Sequence, residues 1–94
     1  MNAPCVFQPA SDVRYAVEAN GIRLIDTRSG ATHILTYPQA AVWDMATRGC
    51  DLAQIIAVVQ VIARVTSAHA GQIVRGTFES LRERGLVIRI SDDE

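Results

Sequence analysis

Aromatic residues are scarce in this chain. One Trp, two Tyr and two Phe make up 5% of its 94 residues, so any core must be mainly aliphatic. Only three prolines are present, and 49% hydrophobic against 20% charged residues excludes a disordered chain. The two cysteines, Cys5 in a terminal stretch and Cys50 at a helix junction, form no CxxC pair and have no histidine cluster beside them, which argues against a disulfide framework or a metal site. A concentrated basic run is also missing. Nine basic residues against ten acidic ones give a net charge of −1, so the attraction that dominates nucleic-acid affinity is absent at the level of the whole chain. The longest apolar stretch is interrupted by Gln60 and Arg64 and is too short to span a bilayer. Residues 1–8 lack the basic region and apolar stretch of a signal peptide. The expectation is a soluble cytoplasmic protein of one domain, without the room for two lobes around a deep cofactor crevice; no cofactor and no membrane partner are expected.

What is present divides into an extended N-terminal part and a helical C-terminal part. Residues 1–11, with Pro4, Pro9 and Ser11, read as a loose arm. Val13, Tyr15 and Val17 alternate against Arg14 and Glu18 over residues 13–18, and residues 22–25 are rich in β-branched side chains. Asn20-Gly21 between them suits the positive φ angles of a tight hairpin turn. Residues 27–30 (TRSG) form a second turn, and residues 31–36 return as a third strand with faces Ala31, His33, Leu35 and Thr32, Ile34, Thr36.

Thr36 and Gln39 have the spacing of a capping box, which predicts a first helix over residues 37–48 burying Ala40, Ala41, Trp43 and Met45 and stopped by Gly49. Asp51 and Gln54 repeat that spacing and open a second helix running to Val65. At 100° per residue its core face is Leu52, Ile55, Ile56, Val59, Ile62 and Ala63. Val58, Val61 and Val65 fall on a second stripe, which is either a homodimer or partner face or surface that the sheet or arm covers. A third helix spans residues 70–84, with Ala70, Val74, Thr77 and Leu81 inward and Ile73 and Phe78 beside them, and ends at Gly85. Residues 86–90 (LVIRI) form a short strand or wing, and residues 91–94 are an acidic tail. The fold class is α+β: a three-stranded antiparallel sheet, three helices and a short last strand, in one domain over residues 12–90.

No catalytic constellation is legible. His33 has no Ser, Cys or carboxylate arranged around it, His69 lies in a polar join, and Asp92, Asp93 and Glu94 read as a solvated tail. Trp43 reads as a core anchor.

An ordered set of features is similar to the PqqD-like family, the precursor-peptide recognition elements. The set is Tyr15 before Gly21-Ile22-Arg23-Leu24-Ile25-Asp26, Leu35-Thr36 entering Ala40-Ala41-Val42-Trp43, Gly49 before Asp51 to Ile55, then Phe78 to Leu81 and Gly85-Leu86, covering about residues 15–87. Two positions depart from the family pattern. Thr36 stands where Asn is common, and Ile73-Val74 replaces an Asp-Val pair, removing an acidic group.

The resemblance implies a winged-helix-like fold and a non-catalytic adaptor. Its partners would be the leader of a ribosomally made precursor peptide and a radical, cyclising or proteolytic modifying enzyme. Pathways of this kind range from PQQ to lasso peptides. The leader is expected to add as a strand beside Ala31, Thr32, His33, Ile34 and Leu35 and to rest on Val74, Arg75, Phe78 and Arg82 of the last helix. Against this, Phe78 is equally readable as core and Arg75 as a partner of Glu79 one turn on. The competing reading is a winged-helix DNA binder using Arg75, Arg82, Arg84 and the LVIRI wing. The interspersed Glu79 and Glu83 and the acidic pI of about 6.1 count against it.

Overall fold

A computed structural model describes the backbone of residues 6–91 and the side chains of residues 7–88. In chain order the elements are β1 (Val6–Pro9), β2 (Val13–Glu18), β3 (Gly21–Asp26), β4 (Thr32–Thr36), α1 (Gln39–Thr47), α2 (Leu52–Ala63), α3 (Ser67–Glu83) and β5 (Val87–Ser91). They form two antiparallel sheets, β2-β3-β4 and β1-β5. The expected meander, three helices and terminal strand are all present. The loose arm is corrected over residues 6–9. These pair with β5, Phe7 opposite Ile90 and Gln8 opposite Arg89, and an irregularity follows where Pro9 ends the pairing. Phe7 holds the strand down, its ring edge-on to Trp43 at 5.4 Å and tilted over Phe78 at 5.8 Å. Cys5 and the acidic residues 92–94 lie outside the described residues.

The β2–β3 register pairs Glu18 with Gly21 and Val13 with Asp26, so the connecting turn is Ala19-Asn20 rather than Asn20-Gly21. Neither Asn20 nor Gly21 has a positive φ. Gly21 is required for another reason: a Cβ there would collide with the backbone carbonyl oxygen of Leu35 on β4. In the β3–β4 turn the Asp26 carboxylate accepts the Arg28 backbone N–H at 3.0 Å, and that bond holds its pKa below the usual value. Gly30 closes the turn with φ +77°.

The first capping box does not form. Pro38 is the N-cap of α1 and no side chain caps it; Thr36, ending β4, sits too early for its hydroxyl to reach the first turn. The second box forms as expected, the Asp51 carboxylate accepting Gln54 N–H at 2.8 Å and the Gln54 side chain accepting Asp51 N–H at 3.0 Å. The Thr66 hydroxyl accepts the His69 N–H at 3.1 Å, so α3 begins three residues earlier than expected and the polar join becomes its first turn. α1 and α3 end alike. Cys50 N–H reaches Met45 O and Gly49 N–H reaches Ala46 O; Leu86 N–H reaches Leu81 O and Gly85 N–H reaches Arg82 O. With positive φ at Gly49 and Gly85, these are two Schellman stops.

α2 ends differently, at Arg64, which takes the left-handed conformation (φ 57°, ψ 51°) without being glycine. An L-residue there carries a steric cost of about 1 kcal/mol that glycine avoids. Arg64→Gly is therefore expected to raise stability by about 0.5–1 kcal/mol in urea denaturation; no gain would mean that Arg64 makes compensating contacts.

Two clusters form the interior. Ile22, Leu24, Leu35, Ala40, Trp43, Leu81, Leu86 and Val87 join the sheet to α1, the end of α3 and β5. Val42, Ala46, Ile55, Val59, Ala70, Val74 and Phe78 join the three helices, and Phe7 packs against both. The α2 core face is narrower than expected. Ile55 and Val59 are buried, whereas Ile62 is exposed and Val61 is 76% exposed. α3 departs from α2 at 108°, so the end of α2 runs past the surface that covers its middle. Of the second stripe, Val65 packs on the core, Val58 is half-buried and Val61 is free. No single helix among the described residues is long and apolar enough to cross a membrane.

Candidate functional site

Among the described residues, β4 has β3 on one side and no strand on the other. Which of its backbone groups face the open side follows from the register. Asp26 N–H donates to Ala31 O at 2.9 Å, and the pairing continues as Leu24 with His33 and Ile22 with Leu35. Antiparallel ladders alternate between bonded and non-bonded pairs. Ala31, His33 and Leu35 therefore turn their N–H and C=O groups to β3, while Thr32, Ile34 and Thr36 turn theirs outward. Three residues of free donors and acceptors make a template for another strand.

Side chains alternate across the sheet in the orthogonal sense. Leu35 points into the core and is 7% exposed, and His33 is half-buried on the same face. Ile34 lies on the outer face, 61% exposed. Thr32 and Ala31 are also exposed.

Alongside the free edge runs a groove of about 480 Å³, within the usual range for ligand sites. Ile34, Leu35 and Thr36 form one wall and Gln39 of α1 contributes to it. The other wall is α3, through Gln72, Ile73, Gly76, Thr77, Ser80 and Leu81, with Arg84 just beyond the helix end. Among the described residues, nothing beyond the adjoining backbone of its own helix and its chain neighbours lies within 4 Å of where a Gly76 Cβ would stand, so the glycine leaves the middle of this wall open. The Thr77 hydroxyl is turned back to Ile73 O at 2.8 Å, which satisfies it within the helix.

The structure thus brings Ile34 and Leu35 to the groove with β4, but α3 presents a different face from the one expected. Val74 is fully buried and Phe78 is 3% exposed, both in the helical core. Arg75 and Arg82 are exposed, yet at 100° per residue they lie roughly 140–180° around α3 from Ile73, Ser80 and Arg84. None of these four lines the groove. The alternative for Arg75, a pair with Glu79, does not form among the described residues either. The ion pairs among the described residues are Arg23–Glu18, Arg28–Asp12, Arg28–Asp26 and Arg48–Asp44. Gln39, Gln72, Ile73, Gly76, Thr77, Ser80 and Arg84 were not assigned to a peptide site from sequence. Their signal is the spacing 73, 76, 77, 80 and 84, a continuous helical stripe of small and neutral residues ending in a cation.

The remaining candidates lie elsewhere. Cys50 is a free, half-buried thiol packed at the edge of the helical cluster. Trp43 is fully buried, as expected of an anchor, and its indole N–H has no hydrogen-bond partner among the described residues. Among the described residues no three His, Cys, Asp or Glu side chains converge as metal ligands would.

No family model and no curated protein sequence matches the chain. Its architecture is shared with solved structures. A lasso peptide synthetase B1 complexed with the leader peptide superposes with a TM-score of 0.80 at 22% identity, over 88% of this chain and 98% of that one. TbiB1 in complex with the TbiA(beta) leader peptide gives a TM-score of 0.79 at 15% identity, over 90% and 99%. At these identities the likeness speaks to architecture, and across almost the whole of both proteins it is the same: the chain has the PqqD-like fold.

Proposed function

We propose that this chain is a non-catalytic adaptor that binds the leader of a ribosomally made precursor peptide as a fourth strand on β4 and presents it to a modifying enzyme. The observation that carries this reading is the pairing of an open strand edge with a flanking groove, in a fold shared with two solved structures that each hold a leader peptide. The outward N–H and C=O groups of Thr32, Ile34 and Thr36 supply sequence-independent affinity. Every second peptide side chain would enter the groove against Ile73, Gly76 and Ser80 and supply selectivity. Each strand hydrogen bond contributes about 0.5–1.5 kcal/mol net, and one buried apolar side chain adds about 1.5–3 kcal/mol.

The DNA-binding reading gains nothing from this geometry, since Glu79 and Glu83 stand exposed among the α3 arginines. No residue of α2 lines the groove; the exposed Val61 and Ile62 there offer the modifying enzyme, or a second copy, a surface separate from the peptide.

Calorimetric titration of a leader peptide encoded by the nearest short reading frame tests the reading. Ile34→Pro removes an outward N–H that β3 does not use, at an edge position where proline is tolerated. It is expected to weaken binding about tenfold or more while the protein stays folded by circular dichroism. Unchanged affinity in Ile34→Pro would mean that the peptide does not pair with β4.

A further inference from the structure

We propose that Arg84 is a specificity determinant of the groove, selecting leaders that carry an Asp or Glu two or four residues from the apolar side chain seated over Gly76. This rests on the adaptor reading and adds the chemistry of the peptide. Of the eleven residues lining the groove, Arg84 alone is charged, and it takes part in no ion pair among the described residues. The rest of the lining is apolar or neutral, so no carboxylate among the described residues of the groove competes for the guanidinium. A strand laid on β4 would remove water from one side of Arg84 and make a peptide carboxylate its natural partner, in the bidentate geometry that guanidinium favours.

The spacing follows from dimensions. Gly76 on α3 and Arg84 at its C-cap are eight residues apart, roughly 12 Å at 1.5 Å per residue. An extended peptide covers that in roughly four residues at 3.3 Å each. Because groove-facing positions alternate, the acid falls an even number of residues from the anchor, two if the strand crosses α3 obliquely and four if it runs alongside. Arg75 and Arg82, on the far side of the helix, are expected to play no part.

A displayed library of random short peptides is selected in parallel against the wild-type protein, Arg84→Gln and Gly76→Trp. Peptides bound by the wild type and lost with Gly76→Trp are groove-directed. These are expected to share an acidic residue at the stated spacing, to bind Arg84→Gln about tenfold more weakly, and to lose nothing further in that variant when their acid is changed to its amide. Groove-directed peptides without a shared acid, or with equal affinity for Arg84→Gln, would overturn the role of Arg84 and leave the adaptor reading intact. If folded Gly76→Trp retains every selected peptide, the groove reading itself falls, and Arg84 with it.

Discussion

Gly76→Trp is expected to reduce leader affinity at least a hundredfold without unfolding the protein. Gly76 is exposed in the middle of α3, faces the groove and has open space where its side chain would be. An indole there occupies the volume that a peptide side chain needs, removing the buried contact and displacing the strand from β4. A displaced strand loses its hydrogen bonds together with the anchor, about 3 kcal/mol or more in all, which is at least a hundredfold. The helix itself gains from losing a glycine, since glycine in a helix interior costs about 0.5–1 kcal/mol relative to alanine. Gly76→Ala should accordingly raise the melting temperature and weaken binding only slightly. The pair separates blocking from unfolding: both variants stay folded, and only the large one fails to bind. Wild-type affinity in Gly76→Trp would exclude the groove from the binding site.

Gly21→Val is expected to damage stability and the binding edge together. Its Cβ would be driven into the carbonyl oxygen of Leu35, a backbone atom held by pairing of Ile22 with Leu35. Relief requires β4 to shift away from β3, and the shift moves Leu35 out of the core cluster it shares with Trp43 and Leu81. Forced overpacking of this kind costs about 1–3 kcal/mol, a large share of the 5–15 kcal/mol typical of a domain. Urea denaturation should show that loss, and peptide titration below the transition should show weaker binding, because the outward groups of Thr32, Ile34 and Thr36 no longer stand in register. A Gly21→Val protein with wild-type stability would mean that the β2–β3 turn absorbs the added methyls.

The elements most legible in the sequence are those fixed by local chemistry. Asp51 and Gln54 form their box, and Gly49 and Gly85 stop their helices, because each acts within one turn of chain. β1 was hidden because its partner lies at the other end of the chain and Phe7 gives no periodic pattern in four residues. Thr36 misled because the spacing of a capping box says nothing about where the preceding strand ends. In the candidate site the edge strand was legible and the helix face was not. Arg75, Phe78 and Arg82 have conspicuous chemistry, whereas Ile73, Gly76, Thr77 and Ser80 have almost none. Which stripe of α3 faces the sheet and which the helices is settled by packing, and that packing puts Phe78 under Phe7 and turns Gly76 to the groove.

The central claim is that a leader peptide becomes the next strand of the sheet, and amide hydrogen exchange by NMR reads that directly. The ¹⁵N-labelled protein is saturated with the leader peptide from the nearest short reading frame, and exchange is followed at both free edges. The account predicts slowed exchange at Thr32, Ile34 and Thr36, whose N–H groups face solvent in the free protein, with Tyr15 and Val17 on the β2 edge unchanged. Protection on the β2 edge, or peptide binding with no protection at Ile34, would contradict it.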